Sequence, residues 1–437
     1  MLTQESLKIR SLGEPRYPSP LKLSTVPGDD VADYVPEGAG ILYDIETGPG
    51  RSPGEPLAFE RAGPRQRLFF DPAQVHAAIV TCGGLCPGLN NVIRSVCVQL
   101  WYLYGVKEVL GIRYGYLGLN PDSGLEPIVL TPDFVDRIHK AGGSVLGSSR
   151  GPQDPAVSVD YLTRLGVNVL FCVGGDGTQR GAMAISEEAR RRGVMLAVIG
   201  IPKTIDNDIL YVARTFGYTT AIDKAREVLD GAHNEAKGAP NGISIVKLMG
   251  RDSGFIAAGA TLASQEANFC LIPELPFRLE GDEGFLAVLK RRIERRGHAV
   301  IVVAEGAGQD LLAHEPRERD ASGNVKHADI GVFLRDRIAD YFRAVGPPVN
   351  IKYFDPSYVI RSVPANCEDA LLCDQLARHA VHAAMAGKTE MLVGVWNSRF
   401  THLPIPLVVT GRKKINLEGE LWASVLVSTG QPVRFGV

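Results

Sequence analysis

The residue types best suited to chemistry lie in two short stretches. Gly174-Gly175-Asp176-Gly177-Thr178 comes first, and Pro202-Lys203-Thr204-Ile205-Asp206-Asn207-Asp208 follows after one more apolar segment. Glycines let backbone amides approach phosphate oxygens, while carboxylates hold a divalent cation or remove a proton. In an extended segment alternate side chains share a face, so Thr204, Asp206 and Asp208 are expected to point together. One carboxylate would serve a metal and the other a substrate hydroxyl. An isolated Asp-x-Asp reads better as a turn cap, but Asp176 on a second turn shifts the balance. Together these residues are the equipment of a phosphoryl-transfer enzyme.

The elements that must position them are legible from apolar runs. Residues 167–173 and 196–201 are nearly continuous apolar segments leading into the two stretches. Buried parallel strands read this way, and α/β folds bind ligands beyond the carboxyl ends of such strands. An earlier run, Ala77-Ala78-Ile79-Val80, leads into a glycine turn at Gly83-Gly84 and Gly88 and then a helix over about 91–103. A turn of that kind is an anion site, because free amides and the helix dipole converge on it. Further strands are expected at 107–112, 243–248 and 299–304, with helices near 131–140, 181–192, 219–236 and 283–296. The alternation predicts an α/β fold with parallel sheets covered by helices on both faces.

Phosphoryl transfer depends on positioning and charge neutralisation, so cations should gather at other strand ends. Arg150 closes a Gly-Ser-Ser-Arg turn, Arg251 follows the strand at 243–248 in Met249-Gly250-Arg251, and Arg361 follows Tyr358. Glu305 stands at the end of the strand at 299–304. Each arginine alone reads as a surface residue; several at strand ends favour a site.

Composition excludes other classes. The 437 residues carry a formal charge of −2, which favours neither nucleic acid nor an anionic membrane. No apolar run approaches the ~20 residues a spanning helix needs. Seven cysteines are scattered without a paired metal pattern, so reduced thiols in the cytoplasm are expected. Cys82 and Cys86 flank the first glycine turn and read as small packing residues. Residues 1–74 are rich in Pro and Gly and read as an N-terminal extension lying over the body, with a flexible loop near 47–56.

The ordered set Gly83-Gly84, Gly88-Leu89-Asn90, Gly147-Ser148-Ser149-Arg150, Gly174-Gly175-Asp176-Gly177-Thr178, Pro202 to Asp208 and Met249-Gly250-Arg251 resembles the 6-phosphofructokinase family over about 64–415. The resemblance implies two Rossmann-like three-layer lobes with the active site in the cleft between them. The donor lobe would take 75–218 and be completed by about 360–410. The sugar-phosphate lobe would take 219–359, and 411–437 would form a C-terminal tail packing on the body or a neighbour. It implies transfer from ATP, with Mg2+, to the 1-hydroxyl of fructose 6-phosphate in a homodimer or homotetramer. Asp206 would be the general base, Asp176 and Asp208 would serve the metal, and Thr204, with Lys203 beside it, would bond the phosphate near the reacting end. Gly84, Arg150, Gly177, Thr178 and Gly181 would line the donor side. Met249, Gly250, Arg251 and Glu305 would contact the sugar, with Arg251 offsetting developing charge, and Tyr358 and Arg361 would grip the 6-phosphate.

Two positions depart from short-chain members. Gly242 stands where they carry one arginine and Lys352 where they carry another, both of which reach the sugar phosphate across a subunit boundary; Lys247 is a candidate replacement for the first. The donor turns on Gly177 and Lys203. Pyrophosphate users typically carry aspartate at the first position and lysine at the second. An aspartate would project volume and charge toward the α-phosphate of a nucleotide, so Gly177 argues for ATP, and Lys203 serves either donor. The same mixed pair occurs in long-chain plant and trypanosomatid ATP users, which the chain also resembles at Phe59 to Arg65 and Gln179-Arg180-Gly181. The alternatives are a pyrophosphate-dependent enzyme and a non-catalytic sugar-phosphate or nucleotide sensor, which would be expected to have lost the carboxylates.

Overall fold

Strands Val169–Gly174 and Ala197–Pro202 are buried along their whole length, which places them inside a sheet covered on both faces. The computed structural model describes residues 2–46, 48, 56–312 and 327–436, so most of the loop expected near 47–56 lies outside the described residues. The chain divides into two units. The first comprises Met1–Ile205, Ile209–Gly217 and Ser362–Arg412; the second comprises Asp206–Asp208, Tyr218–Arg361 and Lys413–Val437.

The first unit holds a nine-stranded sheet. Its middle is parallel, in the order Met391–Trp396, Ala197–Pro202, Val169–Gly174, His76–Thr81 and Glu108–Ile112. Alternation along each strand divides the core in two. Ala77, Ile79, Val169, Phe171 and Val173 face a cluster with helices Leu89–Tyr104 and Cys367–Met385. Ala78, Val80, Leu170 and Cys172 face a second cluster with Val159, Leu162, Ala182 and Ile185 from helices Pro155–Arg164 and Asp176–Arg191. Antiparallel strands finish one edge, including Gly40–Leu42 and Ala58–Arg61 from the Pro-rich N-terminal stretch. Glu60 fastens that stretch: it accepts from His402 Nδ1 at 2.9 Å and pairs with Lys388 at 3.1 Å and Arg65 at 3.1 Å.

The second unit holds a four-stranded sheet, all parallel, in the order Phe269–Leu271, His298–Ala304, Gly242–Leu248 and Asn350–Phe354. Ile243, Ile245, Ile301 and Val303 pack against helices Phe285–Arg296 and Ile330–Val345. Ser244, between the two isoleucines, points the other way and donates to Ala232 O at 2.7 Å on helix Tyr218–Lys237. The C-terminal segment closes this core. Gln431 bonds both the N–H and the carbonyl of Cys270, and the Phe435 ring lies 5.4 Å from that of Phe285.

Two helices differ from expectation. The segment near 131–140 is one α-turn, Pro132–Val135, and one 3-10 turn, Ile138–Lys140, because Arg137 leaves the helical region between them. The helix expected from 181 begins at Asp176, directly after extended Gly175. Among the described residues no helix is long and apolar enough to cross a membrane.

Candidate active site

In the first unit three strands end in register. Thr81 pairs with Val173, and Gly174 with Pro202, so the turns at Gly83, Asp176 and Lys203 leave from one sheet edge. Lys203 is buried and ties two of them together: its N–H donates to Gly174 O at 3.1 Å and its Nζ to Gly84 O at 2.8 Å. The 147–150 turn closes on the same loop. Ser148 Oγ donates to Gly83 O at 2.5 Å, Gly83 N to Ser149 O at 3.1 Å, and Thr81 Oγ1 to Gly147 O at 2.9 Å. Gly83 has φ +86°, and a Cβ on it would sit 3.0 Å from Lys203 Nζ. A Cβ on Gly84 would sit 3.5 Å from an Arg150 terminal nitrogen. Thus Gly84, Arg150 and Lys203 share one neighbourhood.

Asp176 opens helix Asp176–Arg191, where the dipole favours an anion. Arg180, one turn on, places Nε 3.1 Å from Asp176 Oδ2 and donates from Nη2 to Val409 O at 2.5 Å. Gly177 is exposed, and a Cβ there would meet nothing within 4 Å. Gly181 differs: a Cβ would fall 2.4 Å from the Tyr116 ring, whose hydroxyl donates to Thr178 O at 2.7 Å. Its missing side chain is required by packing. Burial pushes the Cys82 thiol up to about 12, which makes it inert, and Cys86 is buried with Sγ directed at Phe216 O.

In the second unit Leu248 and Ala304 are level at the ends of neighbouring strands. Glu305 N donates to Leu248 O at 2.9 Å and Gly306 N to Gly250 O at 3.1 Å, which joins the Met249-Gly250-Arg251 turn to Glu305. Gly250 has φ +135°, and a Cβ on it would lie 2.5 Å from Ser253 O, so only glycine fits. The Arg251 carbonyl is bonded by His327 Nε2 at 3.1 Å, while its side chain retains 24% exposure.

The aspartate segment is not extended, contrary to expectation. Residues 205–206 form a turn and Asn207 takes φ +54°, the left-handed region that asparagine tolerates. Alternation therefore does not describe how Thr204, Asp206 and Asp208 point. Thr204 belongs to the first unit, where its carbonyl accepts from Thr215 Oγ1 at 2.7 Å. Asp206 and Asp208 belong to the second: Ser253 Oγ donates to Asp206 O at 3.2 Å and Lys413 N to Asp208 O at 2.8 Å. Burial pulls the Lys413 ammonium down to about 7, against the attraction of Asp208.

Tyr358 and Arg361 meet on the short helix Ser357–Ile360 and its end, with the guanidinium 4.5 Å from the ring centroid. Lys352 pairs with Glu235 at 2.5 Å on the surface. Lys247, the candidate replacement for an arginine at Gly242, also sits in an ion pair. Its ammonium lies 2.8 Å from Asp329 and 2.9 Å from Asp355, so two carboxylates already match its charge.

The phosphofructokinase family profile matches residues 76–384. Over 98% of this chain and 97% of its own, ATP-dependent 6-phosphofructokinase of Borreliella burgdorferi is 48% identical. ATP-dependent 6-phosphofructokinase 7 of Arabidopsis thaliana is 46% identical over 97% of this chain and 86% of its own. The chain belongs to the phosphofructokinase family.

Other relatives agree. ATP-dependent 6-phosphofructokinase of Trypanosoma brucei brucei is 45% identical over 99% of this chain and 90% of its own. The crystal structure of a pyrophosphate-dependent phosphofructokinase from Marinobacter aquaeolei has a TM-score of 0.67 over 83% of this chain and 93% of that one. At 20% identity it speaks for the fold alone. Sequence reasoning does not single out Arg180, Ser253, Glu274 or Lys413 in this phosphofructokinase. Ser253, Glu274 and Lys413 each pair with a residue distant in the chain, which no local pattern encodes, whereas Arg180 pairs with Asp176 at the i,i+4 spacing of a helix.

Proposed function

We propose that this phosphofructokinase transfers the γ-phosphoryl group of ATP to the 1-hydroxyl of fructose 6-phosphate, giving fructose 1,6-bisphosphate and ADP. The near full-length identity to ATP-dependent relatives carries the reading. The open space at Gly177 supports it, since a nucleotide needs room where an aspartate would stand.

Asp206 takes the proton from the 1-hydroxyl, whose oxygen attacks the γ-phosphorus as the bond to the β-bridging oxygen breaks. Arg251 offsets the developing charge, and Thr204 with Lys203 steadies the reacting phosphate. Gly84, Arg150, Gly177, Thr178 and Gly181 form the donor half, on residues 75–218 with about 360–410. Met249, Gly250, Arg251 and Glu305 hold the sugar, and Tyr358, Arg361 and Lys352 the 6-phosphate, on 219–359. Magnesium fits as an ion carried on the donor phosphates. Among the described residues no three or more His, Cys, Asp or Glu side chains gather as a metal cage, and such an ion needs only one or two carboxylates. Asp176 and Asp208 would hold it, and when bound it neutralises phosphate charge. The reading includes a cytoplasmic homo-oligomer, a dimer or tetramer.

Initial rates with fructose 6-phosphate and magnesium, run in parallel with ATP and with pyrophosphate, test the reading. Turnover with ATP alone is expected. Turnover with pyrophosphate alone would overturn the donor and leave the sugar half standing.

A further inference from the structure

Two of the hydrogen bonds that hold the backbone of the aspartate segment lead to one carboxylate. Ser253 Oγ bonds Asp206 O, and Lys413 N bonds Asp208 O. Ser253 directly precedes Gly254, the N-cap of helix Phe255–Ser264, and glycine has no side chain with which to cap it. Glu274 supplies the cap from another part of the chain. Its Oε1 and Oε2 accept from Gly254 N at 3.1 and 3.0 Å. The same Oε1 accepts from Ile415 N at 3.0 Å. Ile415 is buried, and the Lys413 ammonium lies 5.1 Å from the centroid of the Phe255 ring, at the start of that helix. One side chain thus fixes both the turn that carries Ser253 and the C-terminal segment that carries Lys413.

We propose that Glu274 is a positioning residue for phosphoryl transfer, clamping the 253–254 turn and the 413–415 segment so that they hold Asp206 and Asp208 in place. The inference rests on the proposed function. A carboxylate that merely capped a helix would change stability and leave turnover alone. A clamp on the general base's backbone acts on the chemical step, because small misplacements of a reacting group are costly in rate.

The test compares Glu274→Ala, Glu274→Gln and Ser253→Ala with the parent, by steady-state kinetics and by amide hydrogen exchange at Lys413 and Ile415. Glu274→Ala is expected to lower kcat about tenfold or more while each KM stays within about threefold, and to speed exchange at both amides. Glu274→Gln keeps a carbonyl for the same two donors and is expected to retain kcat within about threefold. Ser253→Ala, a small change that keeps the fold, is expected to lower kcat at least about threefold with KM unmoved. The proposal is overturned if Glu274→Ala speeds exchange but leaves kcat intact, if Glu274→Gln is as impaired as Glu274→Ala, or if Ser253→Ala turns over like the parent. A parent inactive with ATP would instead sink the functional reading, and the exchange data alone would then judge the clamp.

Discussion

Arg180 holds Asp176 from one helical turn away, with Nε 3.1 Å from Oδ2, and is itself tethered by the carbonyl of Val409. Arg180 is 54% exposed, so the pair adds little to stability, roughly 0.5 kcal/mol or less. In the proposed reaction its use is to fix the rotamer of the Asp176 carboxylate. Arg180→Ala should lower kcat about tenfold and leave the thermal midpoint nearly unchanged. Rates at saturating substrate, beside a melting curve, check both halves of that statement.

Asp206 carries the proton in the proposed reaction. Asp206→Ala should fold, bind ATP and fructose 6-phosphate by calorimetry, and lose roughly 10²–10⁴-fold in kcat. Turnover within about tenfold of the parent would remove Asp206 from the role of base.

The room at Gly177 makes a clean donor experiment. A Cβ on Gly177 would meet no neighbour within 4 Å, and an acidic residue in a helix's first turn is favourable, so Gly177→Asp should be as stable as the parent. Its charge should nonetheless repel a nucleotide, raising the KM for ATP by about tenfold, a cost of ~1.4 kcal/mol. A stable variant with an unchanged KM would show that the nucleotide does not approach this position.

Glu60 gives the stability a defined acid limb. Burial alone would raise its carboxyl, but the hydrogen bond from His402 and the charges of His402 and Lys388 bring it from 4.5 down to about 2. Its contribution is therefore complete above pH 4.5 and is lost as pH falls toward 2, on the order of 3 kcal/mol in all. Denaturant unfolding between pH 7 and pH 3 should show a flatter dependence for Glu60→Gln than for the parent. Equal slopes would mean that the N-terminal strands are fastened by other contacts.

The strand ends were readable because a nearly continuous apolar run that stops at a turn-forming or small residue has few other physical explanations. Asp176, Lys203 and Arg251 all lie just beyond such runs. The aspartate segment was readable in composition but not in shape, since a turn at 205–206 and an asparagine at positive φ break the extended run that alternation requires. Arg180 and Glu274 were less legible for a different reason. Arg180's spacing from Asp176 is itself a local signal, but its tether, Val409, and Glu274's partner, Ile415, stand 229 and 141 residues away along the chain, and nothing local marks such a pairing.

The chain passes between the two units five times, after Ile205, Asp208, Gly217, Arg361 and Arg412. Neither unit is a continuous stretch, so each waits for residues made long after its first strand. Until Met391–Trp396 emerges, the edge of Ala197–Pro202 that it will pair with stays uncovered, and unpaired strand edges invite association between chains. Phe435 reaches its place beside Phe285 only after the strands of both sheets have been made. Over that stretch of synthesis the nascent chain is open to association in a way that a domain built from one continuous segment is not.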